Sequence, residues 1–199
     1  PIDLSNISTV VYNKYSFMAI KSDGSLVGWG DQDSGSEVQY HLYNLQNVSS
    51  STVFTHIYAS ASSYAAKTDT NRVYHWGSNG GIKSIVESGN PTQTNNYLDN
   101  VIDVKTTEMA FAALLSDGSV VVWGGNEGGS YYHRYREHYG ELPLYSYYSE
   151  EEYTNITVSV VSDLASGVAS IHSNRNAFAA LKNDGSVVAW GYSPSEYQN

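Results

Sequence analysis

The chain is 199 residues long with 41% hydrophobic and 15% charged residues, which suits one large domain or two small ones and is globular rather than disordered in composition. Twenty Asp and Glu against ten Lys and Arg leave a formal net charge of -10, which repels phosphate backbones and sets nucleic acid aside as a partner. With no cysteine there are no disulfides, thiolate metal sites or cysteine nucleophiles, and no apolar run approaches the ~18 residues of a membrane span.

In chain order, the first apolar segment carries Ile7 and Val10, followed by Phe17 and, twelve residues on, Trp29-Gly30. The second repeats this grammar with Phe54, Ile57, Tyr64 and Trp76-Gly77. The third has Val101, Val104, Phe111 and Trp123-Gly124, and the fourth Val168, Ile171, Phe178 and Trp190-Gly191. The tryptophans are spaced by 47, 47 and 67 residues, so four columns agree in four copies, at about 1–49, 50–97, 98–163 and 164–199 of a single repeat domain.

Within a copy, as in "FAALLSDGSVVVWG", two apolar runs flank Asp117-Gly118, where glycine supplies the positive φ of a tight hairpin turn. The second copy has Thr70-Asn71 there, and asparagine is the next-best residue for that conformation. Each unit is therefore expected to be a β-hairpin preceded by a further short strand. Val120-Val121-Val122 is apolar without alternation, which predicts a strand covered on both faces, and the small Ala112-Ala113 and Ala179-Ala180 predict close approach of neighbouring sheets. No segment shows a helical period, and the fold class is all-β. Phe17, Trp29, Tyr64, Trp76, Phe111, Trp123, Phe178 and Trp190 are expected to form the structural core of the repeats, ahead of any light-sensing role for the tryptophans.

After Trp29-Gly30, the loop "DQDSGSE" places Asp31, Asp33 and Glu37 as calcium loops place their oxygens, but without the glutamate that ends such a loop. A solvated polar turn is the competing reading. The third copy carries an insertion over 126–163 with eight of the chain's 18 tyrosines between Tyr131 and Tyr153. Tyrosine and arginine bring large contact area and hydrogen bonds at little entropy cost, so Tyr131, Tyr132, Arg134, Tyr135, Arg136, Tyr139, Tyr147 and Tyr148 form a candidate interaction surface. The alternative is a flap folded over the domain's own face.

Small sheets repeated every 40 to 50 residues or so point to a β-propeller. The pattern V-x-x-V, an aromatic with small apolar neighbours, then D-G-x-V-x-x-W-G, resembles the repeat of the regulator of chromosome condensation family over the core of all four copies. That resemblance implies blades of a propeller, which in the family usually closes with seven. The family's functions range from nucleotide exchange to ubiquitin ligation and photoreception, so no single one carries over. Two departures stand out: four copies, and no Gly-Gln-Leu-Gly after Trp-Gly. Four copies suit a closed four-bladed ring, an arc completed by a second chain, or an excerpt of a longer array. Pro1-Ile2-Asp3-Leu4 resembles "NNYLDN" at the entry to the third copy, and only eight residues follow Gly191. The last blade is then expected to want an outer strand from the N-terminus or a neighbouring subunit, and an unfinished edge invites pairing.

No nucleophile–base motif, phosphate loop or apolar-set carboxylate pair is present, so no enzymatic activity and no cofactor are expected. Three sequons, at Asn6, Asn47 and Asn155, are as many as chance supplies in so Asn- and Ser-rich a chain. The Tyr-, Ser-, Asn- and Gly-rich, Lys-poor composition leans towards an extracellular or cell-surface setting. The leading expectation is a structural or protein-interaction module assembled with copies of itself or with other repeat domains. A lectin-like or small-ligand propeller that takes a glycan is the alternative, and a regulatory scaffold resembling an exchange factor ranks below both.

Overall fold

A computed structural model describes residues 2–38, 48–77, 97–124 and 162–191. Tyr131, Tyr132, Arg134, Tyr135, Arg136, Tyr139, Tyr147, Tyr148, Asn47 and Asn155 lie outside the described residues.

Each copy forms one antiparallel sheet. The first holds β1 (Ile7–Tyr12), β2 (Ser16–Lys21) and β3 (Leu26–Gly30); the second β4 (Phe54–Ala59), β5 (Ser63–Thr68), β6 (Val73–Gly77) and β7 (Tyr97–Leu98). The third holds β8 (Val101–Thr106), β9 (Ala110–Leu115) and β10 (Val120–Gly124), and the fourth β11 (Val168–Ser173), β12 (Ala177–Lys182) and β13 (Val187–Gly191). These are four propeller-like blades, and they are called blades 1 to 4 below.

The V-x-x-V spacing is a strand with one residue too many. Alternation puts residues three apart on opposite faces, yet Val101 and Val104 both belong to one core cluster. A register shift between Val101 and Asp103 resolves this, and it recurs at Ile7/Thr9, Phe54/His56 and Val168/Ser170. The extra residue re-aims the strand so that both apolar side chains face the neighbouring blade.

The twelve-residue step from aromatic to tryptophan is a cross-strand pair. Phe17 lies opposite Trp29, Tyr64 opposite Trp76, Phe111 opposite Trp123 and Phe178 opposite Trp190. The Phe111–Trp123 rings stack with centroids 5.3 Å apart and planes 7° from parallel. The glycine after the tryptophan is required by the partner strand. At Gly77, with φ 115°, a Cβ would stand 2.7 Å from the Ser63 Cα.

The hydrophobic cores lie between blades. From blade 2, Ala65 and Val73 pack on Val101, Val104, Phe111, Ala113, Val121 and Trp123 of blade 3. From blade 3, Ala112, Leu114 and Val120 pack on Ile171, Phe178 and Ala180 of blade 4, and Met18, Ile20 and Leu26 of blade 1 likewise meet Phe54, Ile57 and Tyr64 of blade 2. Each blade thus has a leading face, centred on its cross-strand aromatic pair, and a trailing face. Val120, Val121 and Val122 are all buried because β10 is covered on both, as its unbroken apolar run predicts. Ala110, Ala112 and Ala113 have no exposed surface, which fits the close approach inferred from small residues.

Backbone hydrogen bonds repeat the same step. The hairpin-tip carbonyls of Gly24, Asn71 and Gly118 each accept from the first strand of the next blade, at Phe54 N, Val101 N and Val168 N, all at 2.9 Å. A second series runs along the opposite turn: Lys14 N to Ala61 O, Ala61 N to Glu108 O and Glu108 N to Arg175 O, at 3.1, 2.6 and 2.8 Å.

Two elements depart from expectation. The loop after β3 contains a wide helical turn, Gln32–Ser36, in which Ser34, Gly35 and Ser36 are buried rather than solvated. The pair Tyr97–Leu98, read as the entry to the third copy, is instead the outer strand of blade 2, pairing Leu98 with Val73 and Tyr97 with Tyr74.

Candidate interaction site

The candidate site follows from the two-faced blade. Among the described residues, leading and trailing faces cover each other at the three junctions between blades, which leaves one of each: the leading face of blade 1 and the trailing face of blade 4.

On blade 1 the leading positions are Ile7, Val10, Phe17, Ala19, Val27 and Trp29, every one apolar. Val10 is 50% exposed and Phe17 43%, whereas Val104, Ile171, Phe111 and Phe178 in the same columns are buried. The expectation that all eight aromatics form the core is therefore corrected for Phe17 and the half-buried Trp29. They stack on each other at 5.3 Å, but core forms between blades and none stands before blade 1 among the described residues. Trp190 is partly buried, packed against the cluster between blades 3 and 4.

On blade 4 the trailing positions are Ala179, Leu181, Val187 and Ala189. Leu181 is 39% exposed and Val187 63%, although the apolar residues of the same columns, Ile20, Leu114, Leu26, Val73 and Val120, are buried; blade 2 has the half-buried Lys67 at the Leu181 position. Both end faces thus keep the side chains of an internal junction while standing in solvent. At about 25 cal/mol per Å² of apolar surface, covering them is favourable, and exposed apolar patches of this kind mark contact sites.

The candidate calcium loop serves another purpose. The Asp31 carboxylate accepts from Ser34 N at 3.0 Å and Ser34 Oγ at 2.6 Å, closing the helical turn. The Gly35 carbonyl it presents accepts from Trp76 Nε1 at 3.0 Å, and the Ser34 carbonyl accepts from Asn13 Nδ2 at 2.9 Å. The loop therefore fastens blade 1 to blade 2, and no group of three or more His, Cys, Asp or Glu gathers as a metal site among the described residues. Asn6 is exposed with φ 56°, its carbonyl accepting from Ser22 N at 2.8 Å. No described helix is long and apolar enough to cross a membrane.

The sequence marks His75 as no more than a sheet or loop histidine, and its burial without a partner was not foreseen. It is buried on β6, edge-on to Phe111 at 5.2 Å and Trp123 at 5.9 Å, and neither ring nitrogen has a hydrogen-bond partner. Burial pushes its pKa down to about 3. The signal was available in the columns: it occupies the position of Val122, next to a conspicuously apolar strand.

No model of a known protein family matches the chain, and neither does any curated protein. Solved structures do. Yeast RCC1 (Prp20), bound to Kap60, superposes with a TM-score of 0.54 at 16% identity over 97% of this chain and 45% of that one. Prp20p from Saccharomyces cerevisiae, described with its binding to Gsp1p and histones, gives 0.55 at 16% over 96% and 46%. The fold is that of an RCC1-type propeller. The chain spans less than half the length of either, so the likeness shows the architecture and leaves the yeast protein's partners with the yeast protein.

Proposed function

We infer that this chain is a non-enzymatic, protein-interaction propeller module that serves as a structural unit of a larger extracellular or cell-surface assembly. The observation that carries the reading is the pair of apolar end faces, which preserve junction chemistry at places where no described blade covers them. RCC1-type blades recruited for contact rather than catalysis suit such a design. The Lys-poor, Tyr-rich composition supports the setting.

The insertion supplies a second contact surface through Tyr131, Tyr132, Arg134 and Arg136. Replacing these four with alanine is expected to weaken assembly, measured by light scattering, while leaving the β-type circular dichroism intact. Unchanged association would remove the insertion from the contact surface. A monomer that bound glycans on an array, and kept doing so after these replacements, would favour the lectin-like alternative and overturn the module reading.

A further inference from the structure

Building on that reading, we propose that the partner of both end faces is a second copy of this chain, docked head to tail: the trailing face of blade 4 in one copy meets the leading face of blade 1 in the other. The geometry of the contact is already present three times within the chain, and the described ends carry its two unmatched halves.

Three features define the register. The first is strand addition. Tyr97–Leu98, just ahead of blade 3, forms the outer strand of blade 2 by pairing with β6. The same offset ahead of blade 1 falls on Asp3–Leu4, where Ile2 and Leu4 are exposed apolar residues and the Lys21 ammonium holds Asp3 at 2.6 Å. In the docked pair, Leu4 of the second copy lies against Val187 as Leu98 lies against Val73. This gives β13 an outer strand, in the manner of strand addition to a sheet edge.

The second feature is the hairpin-tip bond. Gly185 is the counterpart of Gly24, Asn71 and Gly118, and its carbonyl accepts from Ile7 N of the second copy as theirs accept from Phe54, Val101 and Val168. Internal tips press against the next segment: a Cβ at Gly118 would stand 3.1 Å from Gly167 N. At Gly185 no described atom lies within 4 Å, which leaves the place open for the second copy's Asn6. Asn6 already holds φ 56°, close to the 60° and 72° of Asn100 and Gly167.

The third feature is the apolar contact. Leu181 and Val187 enter against Ile7, Val10, Phe17 and Trp29 of the second copy, matching Leu114 and Val120 against Val168, Ile171, Phe178 and Trp190. Ring closure within one chain does not provide this contact, because both faces stand exposed in the same molecule. A second copy supplies each end with the face it lacks, as a heterologous interface.

The test uses Val187→Glu and Val10→Glu, each placing a carboxylate on one end at a side chain already exposed in the monomer. The wild-type chain should scatter as multiples of 21.8 kDa as concentration rises. Each variant alone should associate far more weakly than the wild-type chain, the head-to-tail affinity reduced more than about 100-fold by burial of an unpaired charge. Mixed, the variants should form one-to-one pairs, since each retains the end that the other has lost. That recovery also shows that both variants are folded. A wild-type chain that stays monomeric overturns the proposal, as does a variant that self-associates normally or a mixture that does not pair. Association lost in the insertion variant but unaffected by both end variants overturns the head-to-tail contact while leaving the module reading standing.

Discussion

His75 shows how a repeat tolerates a residue its column does not favour. The position faces the next blade, and the imidazole is enclosed by Phe111 and Trp123 with both nitrogens unpaired. Its pKa falls from an ordinary 6.5 to about 3 in the folded chain. The folded state therefore binds fewer protons than the unfolded chain between these values. The stability associated with neutral His75 is complete above pH 6.5 and is lost as pH falls towards 3, at about 1.4 kcal/mol per pH unit. His75→Val, copying Val122, should change stability little at pH 7, because a smaller side chain offsets the removal of two unsatisfied atoms. By pH 4.5 the variant should be the more stable protein in urea titrations. Parallel loss of stability in the two proteins would show that His75 is hydrated or paired. Tryptophan Nε1 groups differ similarly within one column: Trp76 donates to Gly35 O, whereas those of Trp123 and Trp190 are buried without a partner.

At the scale of the element, hairpin tips separate backbone strain from contact between blades. Gly118 and Gly185 have φ of 81° and 85°, so alanine at either forces a side chain into a region that costs about 1–2 kcal/mol. Only at Gly118 would the new Cβ also press on the next blade, 3.1 Å from Gly167 N. Gly118→Ala should therefore lower the thermal midpoint of the dilute chain more than Gly185→Ala, and equal losses would mean that the tip contact adds nothing. These elements were legible in the sequence where chemistry forces one solution. The V-x-x-V spacing requires a bulge if both valines are to be buried, Trp-Gly requires a residue without Cβ beside the partner strand, and three consecutive valines require two covered faces. Tyr97–Leu98 was not legible as an outer strand, because two residues carry no periodicity and their partner β6 lies before a long loop. The exposure of Phe17 and Trp29 was hidden for another reason. A column of like residues reports that each can pack against a preceding blade and says nothing about whether one is there. The helical turn at Gln32–Ser36 depends on Asp31 capping and on Gly35 at φ 92°, side-chain and backbone details without a repeating pattern.

At the scale of the whole molecule, charge and apolar surface oppose each other in the proposed assembly. Each copy carries a formal -10, so two approaching copies repel through their overall fields. The rim of the junction adds a local term. Within the chain, Arg175 Nε meets Glu108 Oε2 at 2.6 Å, but the next step of the same column places Arg175 beside Lys14 of the second copy. The attraction must therefore come from Leu181, Val187, Phe17 and their neighbours, with like charges against it at long and short range. Salt screens both repulsions, with a Debye length falling from about 10 Å at 0.1 M to 3 Å at 1 M, and leaves apolar burial in place. Association should consequently tighten as sodium chloride is added, read as a falling dissociation constant in light scattering or sedimentation. An assembly held by ion pairs, such as one built through Arg134, Arg136 and the acidic end of the insertion, would weaken over the same range. The sign of the salt response thus separates contact through the blade ends from contact through the insertion.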